Sequence, residues 1–331
     1  MAIISPSAGL PEVFPWVQDL GLKRLREQFG LVAKEYPTTR KMRSSPQDRA
    51  RDITDAFSDK ENKAVFASIG GTDQIKVIKY LDPQVFIDNP KPFFGYSDNT
   101  HLHNFLWNLG IPSYYGGCIM TQFAMNVRMF DMTVSSLRNA LFETGFYDLE
   151  VADQYNDIGI DWSDRENLNK SRQLEKNDGL YWDGEESAEG ILWGGCVESL
   201  IAQVSANIYM PNDTDMDGVI LAIETAEDIP EHWITEYLLT GLGERGWLNR
   251  LKAILVGRPK AWEFDKQNTA EEKIAYREKQ RTTVLEVIRQ YNEKIPVIQN
   301  IDFGHTDPQV ILPFGQTAVI DSQARKISLK Y

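Results

Sequence analysis

Gly95-Tyr96-Ser97-Asp98-Asn99-Thr100 follows the apolar run Pro92-Phe93-Phe94 and precedes the stretch His101 to Leu109, which has helical spacing. An apolar run that ends at a turn and is followed by a helix indicates one unit of an α/β sheet. A serine on such a turn exposes its hydroxyl at the carboxyl edge of the sheet, beside backbone N–H groups that can hold a developing oxyanion. The segment therefore predicts a nucleophile, Ser97.

Two distant residues have the chemistry to complete a catalytic triad. Glu224 ends the strand-like run Val219 to Ile223, and His305 lies in the loop Phe303-Gly304-His305-Thr306-Asp307. Functional side chains are expected at the carboxyl ends of strands in α/β sheets, and loops held by rigid strands often carry general bases. The chain order would be serine, acid, histidine. The alternative for His305 is a structural histidine with local hydrogen bonds.

The turn at Ser97 has a second interpretation, because serine and aspartate are also the residues that begin helices. Asp98 or Ser97 is expected to cap a helix that starts at Asn99. The two interpretations are compatible. Capping would fix the turn, while the N–H of Asp98 and one from Gly70-Gly71 would point to the carbonyl oxygen of a substrate. Glycine permits this close approach, although a glycine pair after a strand is also an ordinary turn.

Composition and charge narrow the class of protein. The 331 residues are 42% apolar and 11% aromatic, which indicates a globular protein. A net charge of −13 argues against nucleic acid as a partner, and no apolar run reaches the length of a membrane span. Cys118 and Cys196 lie far apart and predict buried thiols in a reducing compartment. Because the N-terminus lacks a basic, apolar leader, we expect a cytoplasmic location.

The pattern along the chain predicts two domains. Alternating short apolar runs and helical patterns indicate a doubly wound parallel sheet in residues 1–150, the domain that carries the nucleophile. Residues 151–190 become polar and acidic and predict an interdomain connection. Residues 191–331 combine helices with short β runs, which predicts an α+β domain carrying the acid and the histidine. The overall fold class is α/β.

A calcium-binding loop is an alternative interpretation of the segment that ends at Glu224. Asp213-Thr214-Asp215-Met216-Asp217-Gly218, five residues and Glu224 match the pattern D-x-D-x-D-G-x5-E. A calcium loop should lie between two helices, whereas Pro211 interrupts the preceding segment and Val219 to Ile223 is a β-type run. We therefore interpret the acidic segment as a polar turn entering a strand. A calcium-dependent binding protein that uses the Asp213–Glu224 loop is the alternative.

Several segments, in this order and at these separations, resemble the serine LD-carboxypeptidase family, which includes the microcin-C immunity peptidases. They are Ile4-Ser5-Pro6-Ser7, Ser68-Ile69-Gly70-Gly71, Asn89-Pro90-Lys91, Gly95 to Thr100, Gly194-Gly195, the strand ending at Glu224, His305-Thr306-Asp307-Pro308 and Leu312-Pro313-Phe314-Gly315. The resemblance spans almost the whole chain.

The resemblance implies an N-terminal flavodoxin-like domain, a C-terminal α+β domain, a site in the groove between them, and a homodimer. It implies a hydrolase without metal or cofactor, in which Ser97 is the nucleophile, His305 the general base and then acid, and Glu224 the residue that orients His305. The N–H groups of Asp98 and Gly71 would form the oxyanion hole. The alternative is a degenerate member of the family, a ligand-binding protein with the same fold but without catalytic activity.

The implied substrate is a small peptide or peptide-nucleotide, cut at an amide bond near a carboxylate. It would be a muropeptide that loses a C-terminal D-amino acid, or a processed microcin-C-like antibiotic. Two positions depart from the family. Cys196 stands where many members have asparagine after Gly194-Gly195, and Tyr181-Trp182 does not align cleanly with the aromatic that immunity peptidases place against a nucleobase. Trp182 is therefore a candidate stacking residue, or an ordinary interdomain aromatic.

Overall fold

Short, fully buried strands form the centre of each half of the molecule. The computed structural model describes residues 1–331. The strands are β1 (Ala2–Ile4), β2 (Lys34–Glu35), β3 (Val65–Ala67), β4 (Phe93–Gly95), β5 (Ser113–Tyr115), β6 (Phe146–Asp148), β7 (Gln154–Tyr155), β8 (Glu175–Lys176), β9 (Tyr181–Asp183), β10 (Ala188–Cys196), β11 (Ile220–Glu224), β12 (Ala253–Gly257), β13 (Val297–Ile301), β14 (Leu312–Phe314), β15 (Thr317–Asp321) and β16 (Lys326–Lys330). The α-helices are α1 (Pro15–Phe29), α2 (Pro46–Ser58), α3 (Ile75–Ile78), α4 (Pro83–Asp88), α5 (Thr100–Asn108), α6 (Asp131–Phe142), α7 (Val197–Ala206), α8 (His232–Glu244) and α9 (Ala270–Tyr291).

The first sheet has the flavodoxin-like strand order. Its parallel strands are arranged β2-β1-β3-β4-β5, and β14 pairs antiparallel with β5 at the edge. Strand order 2-1-3-4-5 is that of the flavodoxin-like folds, in which functional groups collect beyond the carboxyl ends of the strands. The predicted α/β class with a flavodoxin-like N-terminal sheet is confirmed.

The second sheet is mixed. Strands β10, β11, β12 and β13 are parallel neighbours, and antiparallel strands continue the sheet on both sides in the order β6-β16-β15-β10-β11-β12-β13-β9. The predicted short β strands of the C-terminal part are thus present within an α+β arrangement. Strands β7 and β8 form a separate two-stranded sheet.

Two strands lie in the opposite sheet from the one that their position in the chain suggests. Strand β6, within residues 1–150, pairs with β16 in the second sheet. Strand β14, within residues 191–331, joins the first sheet through β5. The domain boundaries at 150 and 190 stay predictions, and the two sheets exchange one strand across them.

Aromatic side chains fill the core of the first sheet. The ring of Phe66 on β3 stacks on that of Phe94 on β4, with centroids 4.4 Å apart, and meets Phe123 edge-on at 5.6 Å. All three are fully buried. Strands covered on both faces need continuous apolar runs instead of an alternating pattern, and Ala64 to Ala67 and Phe93-Phe94 are such runs.

Local capping chemistry explains where two of the helices begin. Ser45 precedes α2 and accepts a hydrogen bond from the N–H of Asp48 at 3.1 Å, with Pro46 at the first helical position. Helix α9 begins after Thr269, which forms a reciprocal capping box with Glu272. None of the helices is both long and apolar enough to cross a membrane.

Gly195 brings the second sheet against the start of α5, beside the Ser97 turn, while Gly194 lets β10 lie close to β11. A Cβ on Gly194 would lie 1.8 Å from the carbonyl oxygen of Ala222, and one on Gly195 would lie 2.4 Å from Cγ2 of Thr100. The next residue, Cys196, donates its N–H to Oγ1 of Thr100 at 2.9 Å. No other residue type permits these approaches, so Gly195 sets the distance between β10 and the start of α5.

Removal of the Phe66 ring tests the role of the aromatic core. Because Phe66 is fully buried between two other rings, we expect Phe66→Ala to lower the free energy of unfolding by about 3–5 kcal/mol in a denaturant titration. The matched control is Phe142→Ala, at a ring that is 49% exposed. This substitution should change the free energy of unfolding by no more than about 0.5 kcal/mol. Equal effects of the two substitutions would contradict this assignment of the core.

Candidate active site

The Ser97 turn has strained backbone geometry. After β4 ends at Gly95, Ser97 adopts φ of +65°, a left-handed conformation that is unusual for a residue with a Cβ. Its N–H donates to the hydroxyl of Tyr115 at 3.1 Å. A strained serine between a buried strand and a helix is the geometry of a nucleophile elbow, and such strain concentrates at functional sites.

The helix-cap interpretation of this turn is wrong. Helix α5 begins at Thr100 after a single 3₁₀ turn over Ser97–Asn99, and no side chain caps it. The carboxylate of Asp98 instead accepts hydrogen bonds from Oγ of Ser7 and from the N–H of Gln74 at 2.8 Å. These partners come from other loops, which is why local sequence rules missed them.

Asp98 is a buried anchor for the loops around the turn. Burial opposes its ionisation, but hydrogen bonds from His101 and Ser7 keep the pKa of Asp98 below its usual value. The Nε2 atom of His101 lies 3.4 Å from its Oδ1. The side chain of Asp98 thus fixes the turn, and its backbone N–H finds no acceptor within the protein.

Glu224 and His305 form a buried hydrogen-bonded pair. Glu224, the last residue of β11, places Oε2 2.6 Å from Nδ1 of His305, and its Oε1 accepts a hydrogen bond from Tyr115 at 2.5 Å. The side chains of Glu224 and His305 are 1% and 3% exposed. Both carboxylate oxygens are therefore satisfied, which a buried carboxylate requires.

The second ring nitrogen of His305, Nε2, is available for proton transfer. Burial would lower the pKa of His305, but the Glu224 carboxylate outweighs it and raises that pKa to about 9. Nε2 of His305 has no hydrogen-bond partner, and its nearest acid is Oε2 of Glu227 at 3.6 Å. An imidazole with one nitrogen bound to a carboxylate and the other unpartnered is the arrangement of a general base.

Ser97 and His305 line the same cavity, which has a volume of about 380 Å³. No hydrogen bond joins their side chains. Gly70 and Gly71 line the same cavity. A Cβ on Gly70 would lie 2.9 Å from Cβ of Ser97, and one on Gly71 would lie 2.2 Å from Oγ of Ser7, so both glycines are required by close packing at the nucleophile. Catalytic hydrogen bonds are commonly long in unliganded enzymes and shorten in the reacting complex.

The connecting segment closes the cavity over the His305 loop. Asn156 and Asp307 exchange backbone hydrogen bonds of 2.7 and 2.9 Å. The guanidinium of Arg172 donates to Oδ1 of Asn156 at 2.7 Å and lies 3.5 Å from Asp307. These contacts tie the segment around residue 156 directly to the loop that carries the histidine.

The tryptophan that lines the cavity is Trp162, not Trp182. Trp182 lies on β9, opposite Ile298 of β13, and is outside the lining of the cavity. Trp162 and Phe264 line it instead. Sequence reasoning also missed Tyr115 and Glu227. The signal for Tyr115 was its position at the carboxyl end of the strand after the nucleophile strand, while nothing in the sequence distinguished Glu227.

The acids of the calcium pattern are engaged elsewhere. Asp213 accepts hydrogen bonds from Arg245 at 2.9 Å and from Trp247 at 2.7 Å, and Asp217 pairs with Arg250 at 2.7 Å. Glu224 points to His305. Because these side chains do not converge, and β11 follows the acidic turn directly, the segment lacks the geometry of a calcium loop.

Comparison with known proteins gives the family. Residues 1–116 match the LD-carboxypeptidase N-terminal domain and residues 189–320 match the LD-carboxypeptidase C-terminal domain. The chain is 24% identical to the microcin C7 self-immunity protein MccF of Escherichia coli, over 86% of this chain and 78% of that protein. It is also 24% identical to a probable murein peptide carboxypeptidase of Bacillus subtilis, over 93% of this chain and 82% of that protein.

Solved structures share the whole fold. A crystal structure of an MccF-like protein from Streptococcus pneumoniae in complex with AMP matches with a TM-score of 0.86 and 26% identity, covering 100% of this chain and 98% of the other. MccF in complex with glutamyl sulfamoyl guanosine matches with a TM-score of 0.85 over 100% and 95% of the two chains, and at 23% identity it shows the shared fold alone. With both domain families matched along most of its length, the chain belongs to the LD-carboxypeptidase family and is a serine-type hydrolase.

Proposed function

We propose that the protein is a peptidase with a Ser97-Glu224-His305 triad that hydrolyses an amide bond next to a carboxylate-bearing terminus. The observation that supports the proposal best is the buried Glu224–His305 hydrogen bond of 2.6 Å, together with an unpartnered Nε2 in the cavity that Ser97 lines. Membership of the family supports the same reaction class.

Each residue of the proposed triad has one role in the reaction. Oγ of Ser97 attacks the carbonyl carbon and gives its proton to Nε2 of His305. Glu224 stabilises the imidazolium that forms, while Tyr115 keeps the carboxylate in place from its other oxygen. His305 then protonates the leaving nitrogen, and water hydrolyses the acyl-enzyme by the same steps in reverse order.

The N–H groups of Asp98 and Gly71 are the proposed oxyanion hole. Neither N–H donates a hydrogen bond within the protein, and Gly71 lines the cavity beside Ser97. Removing one donor of such a hole typically costs about 2.7–4 kcal/mol in the barrier. Because both donors are backbone groups, the strained turn and the glycine pair would hold them in place before substrate binds.

The proposed substrates are small peptides or peptide-nucleotides. Relatives are named for murein peptides and for microcin immunity, and MccF structures contain aspartyl sulfamoyl adenosine or glutamyl sulfamoyl guanosine. The cavity has an aromatic rim at Trp162 and Phe264 that suits a planar group. We propose LD-carboxypeptidase activity on muropeptides or cleavage of a microcin-C-like conjugate.

A homodimer and a cytoplasmic location are further proposals. The family resemblance supports a homodimer, which sedimentation at several concentrations tests. Both cysteines are free and buried, as expected for a protein of a reducing compartment.

Substitution of the nucleophile tests the triad. We expect Ser97→Ala to lower kcat by about 10⁴-fold or more on tetrapeptides ending in a D-amino acid, because the attacking oxygen is lost. The thermal unfolding midpoint should stay the same, since Oγ makes no hydrogen bond within the protein. Ser58→Ala, at an exposed serine of α2, is the control and should keep full activity. Full activity of Ser97→Ala would refute the nucleophile assignment.

The pH dependence of turnover tests the role of His305. A general base acts only when neutral, and the pKa of His305 is raised to about 9 by Glu224, so kcat/KM should rise about tenfold per pH unit up to pH 9 and then level off. Glu224→Gln should move the rise to lower pH and reduce the plateau by about 10⁴-fold. Rates from pH 6 to 10 on a substrate without titrating groups measure both effects. A plateau that already begins at pH 7 would contradict the assignment.

A further inference from the structure

One acid in the catalytic cavity, Glu227, has no lysine or arginine partner, and its nearest basic group is the imidazole of His305. Each of the other three lining carboxylates pairs with lysine or arginine: Asp157 with Lys273 and Arg277, Glu263 with Lys260, and Asp307 with Arg172. The lining cations Arg172 and Lys260 are both engaged in these pairs. Glu227 has neither lysine nor arginine within 4 Å, so the uncompensated charge of the cavity is negative.

The position of Glu227 is set by the chain around it. It follows Glu224 by three residues, and between them the N–H of Ala226 donates to the buried Oε2 of Glu198 at 3.1 Å. The side chain of Glu227 is 58% exposed at the cavity and can be reached by a ligand. The loop is therefore anchored while its carboxylate stays accessible.

Glu227 also lies close to the bond that would be cut. Its Oε2 is 3.6 Å from Nε2 of His305, the atom that must approach Oγ of Ser97 during the reaction. A group bound to Glu227 is therefore within a few bonds of the carbonyl carbon under attack. An α-ammonium is two bonds from that carbon, and the ammonium of a flexible side chain can fold back to the same place.

We propose that Glu227 binds a free ammonium group on the residue that supplies the scissile carbonyl, and so selects substrates with an unacylated amine beside the bond. The inference rests on the proposed function and names the substrate class of that site. A charged hydrogen bond to a carboxylate is among the stronger polar contacts available to a ligand.

Binding of an ammonium would also prepare the histidine. Glu224, Glu227, Asp228, Lys260 and Asp307 are the charged groups around His305. An ammonium on Glu227 cancels part of the negative potential that keeps the imidazole protonated. The bound substrate thereby favours the neutral, basic form of His305.

Pairs of peptides that differ only in one acyl group test the proposal. The first pair ends in Lys-D-Ala, with the lysine amine free or acetylated; the second has a free or acetylated α-amine on the residue before D-Ala. We expect the wild-type protein to prefer the free amine about tenfold or more in kcat/KM within at least one pair, which identifies the amine that is bound. In Glu227→Gln this ratio should fall to about one.

The ratio separates binding from a general effect on catalysis. A change in the basicity of His305 that the substitution itself causes alters both members of a pair equally, and turnover of the acetylated peptide shows that the variant is folded. Glu231→Gln, at an exposed acid four residues later, should keep the wild-type ratio. Cleavage without preference, or an unchanged ratio in Glu227→Gln, would overturn this inference alone. Failure of the wild-type protein to cleave any of the peptides would overturn the proposed LD-carboxypeptidase activity as well.

Discussion

The buried carboxylate of Glu224 is the constraint on which the arrangement of the site depends. Removing a carboxylate from water is costly unless both oxygens receive hydrogen bonds. Here one donor, Tyr115, belongs to the first sheet, and the other, His305, belongs to a loop of the second half of the chain. The two sheets must therefore meet at the end of β11. Gly195, against Thr100, makes this meeting sterically possible beside the Ser97 turn.

Features with a local cause were predictable from the sequence. The Ser97 turn between a buried strand and a helix depends on neighbouring residues, and the structure places it as expected. Partners from distant loops were not predictable. Asp98 was expected to cap a helix because its actual hydrogen-bond donors, Ser7 and Gln74, cannot be inferred from sequence spacing. The same reason applies to Trp162. It lies in an irregular segment whose course cannot be inferred from the sequence, and that course places it at the cavity. Trp182 instead lies on a strand of the second sheet.

The site is arranged to bind a substrate before it can react. Ser97 and His305 face a common cavity without a hydrogen bond, and the histidine is surrounded by acids that hold its proton. A substrate would supply what is missing: a carbonyl between the two groups, and a positive charge among the acids. In this view recognition and activation are one event, because the same charge that orients the substrate changes the protonation of the base.

The exchange of β6 and β14 links the two halves of the molecule mechanically. If residues 1–116 were made alone, the edge of β5 would lose β14 and present unpaired N–H and C=O groups to solvent; a fragment of residues 189–320 would likewise lack the strands that follow β15. Exposed edges of this kind are templates for aggregation. The full chain therefore covers sheet edges that either segment alone would expose.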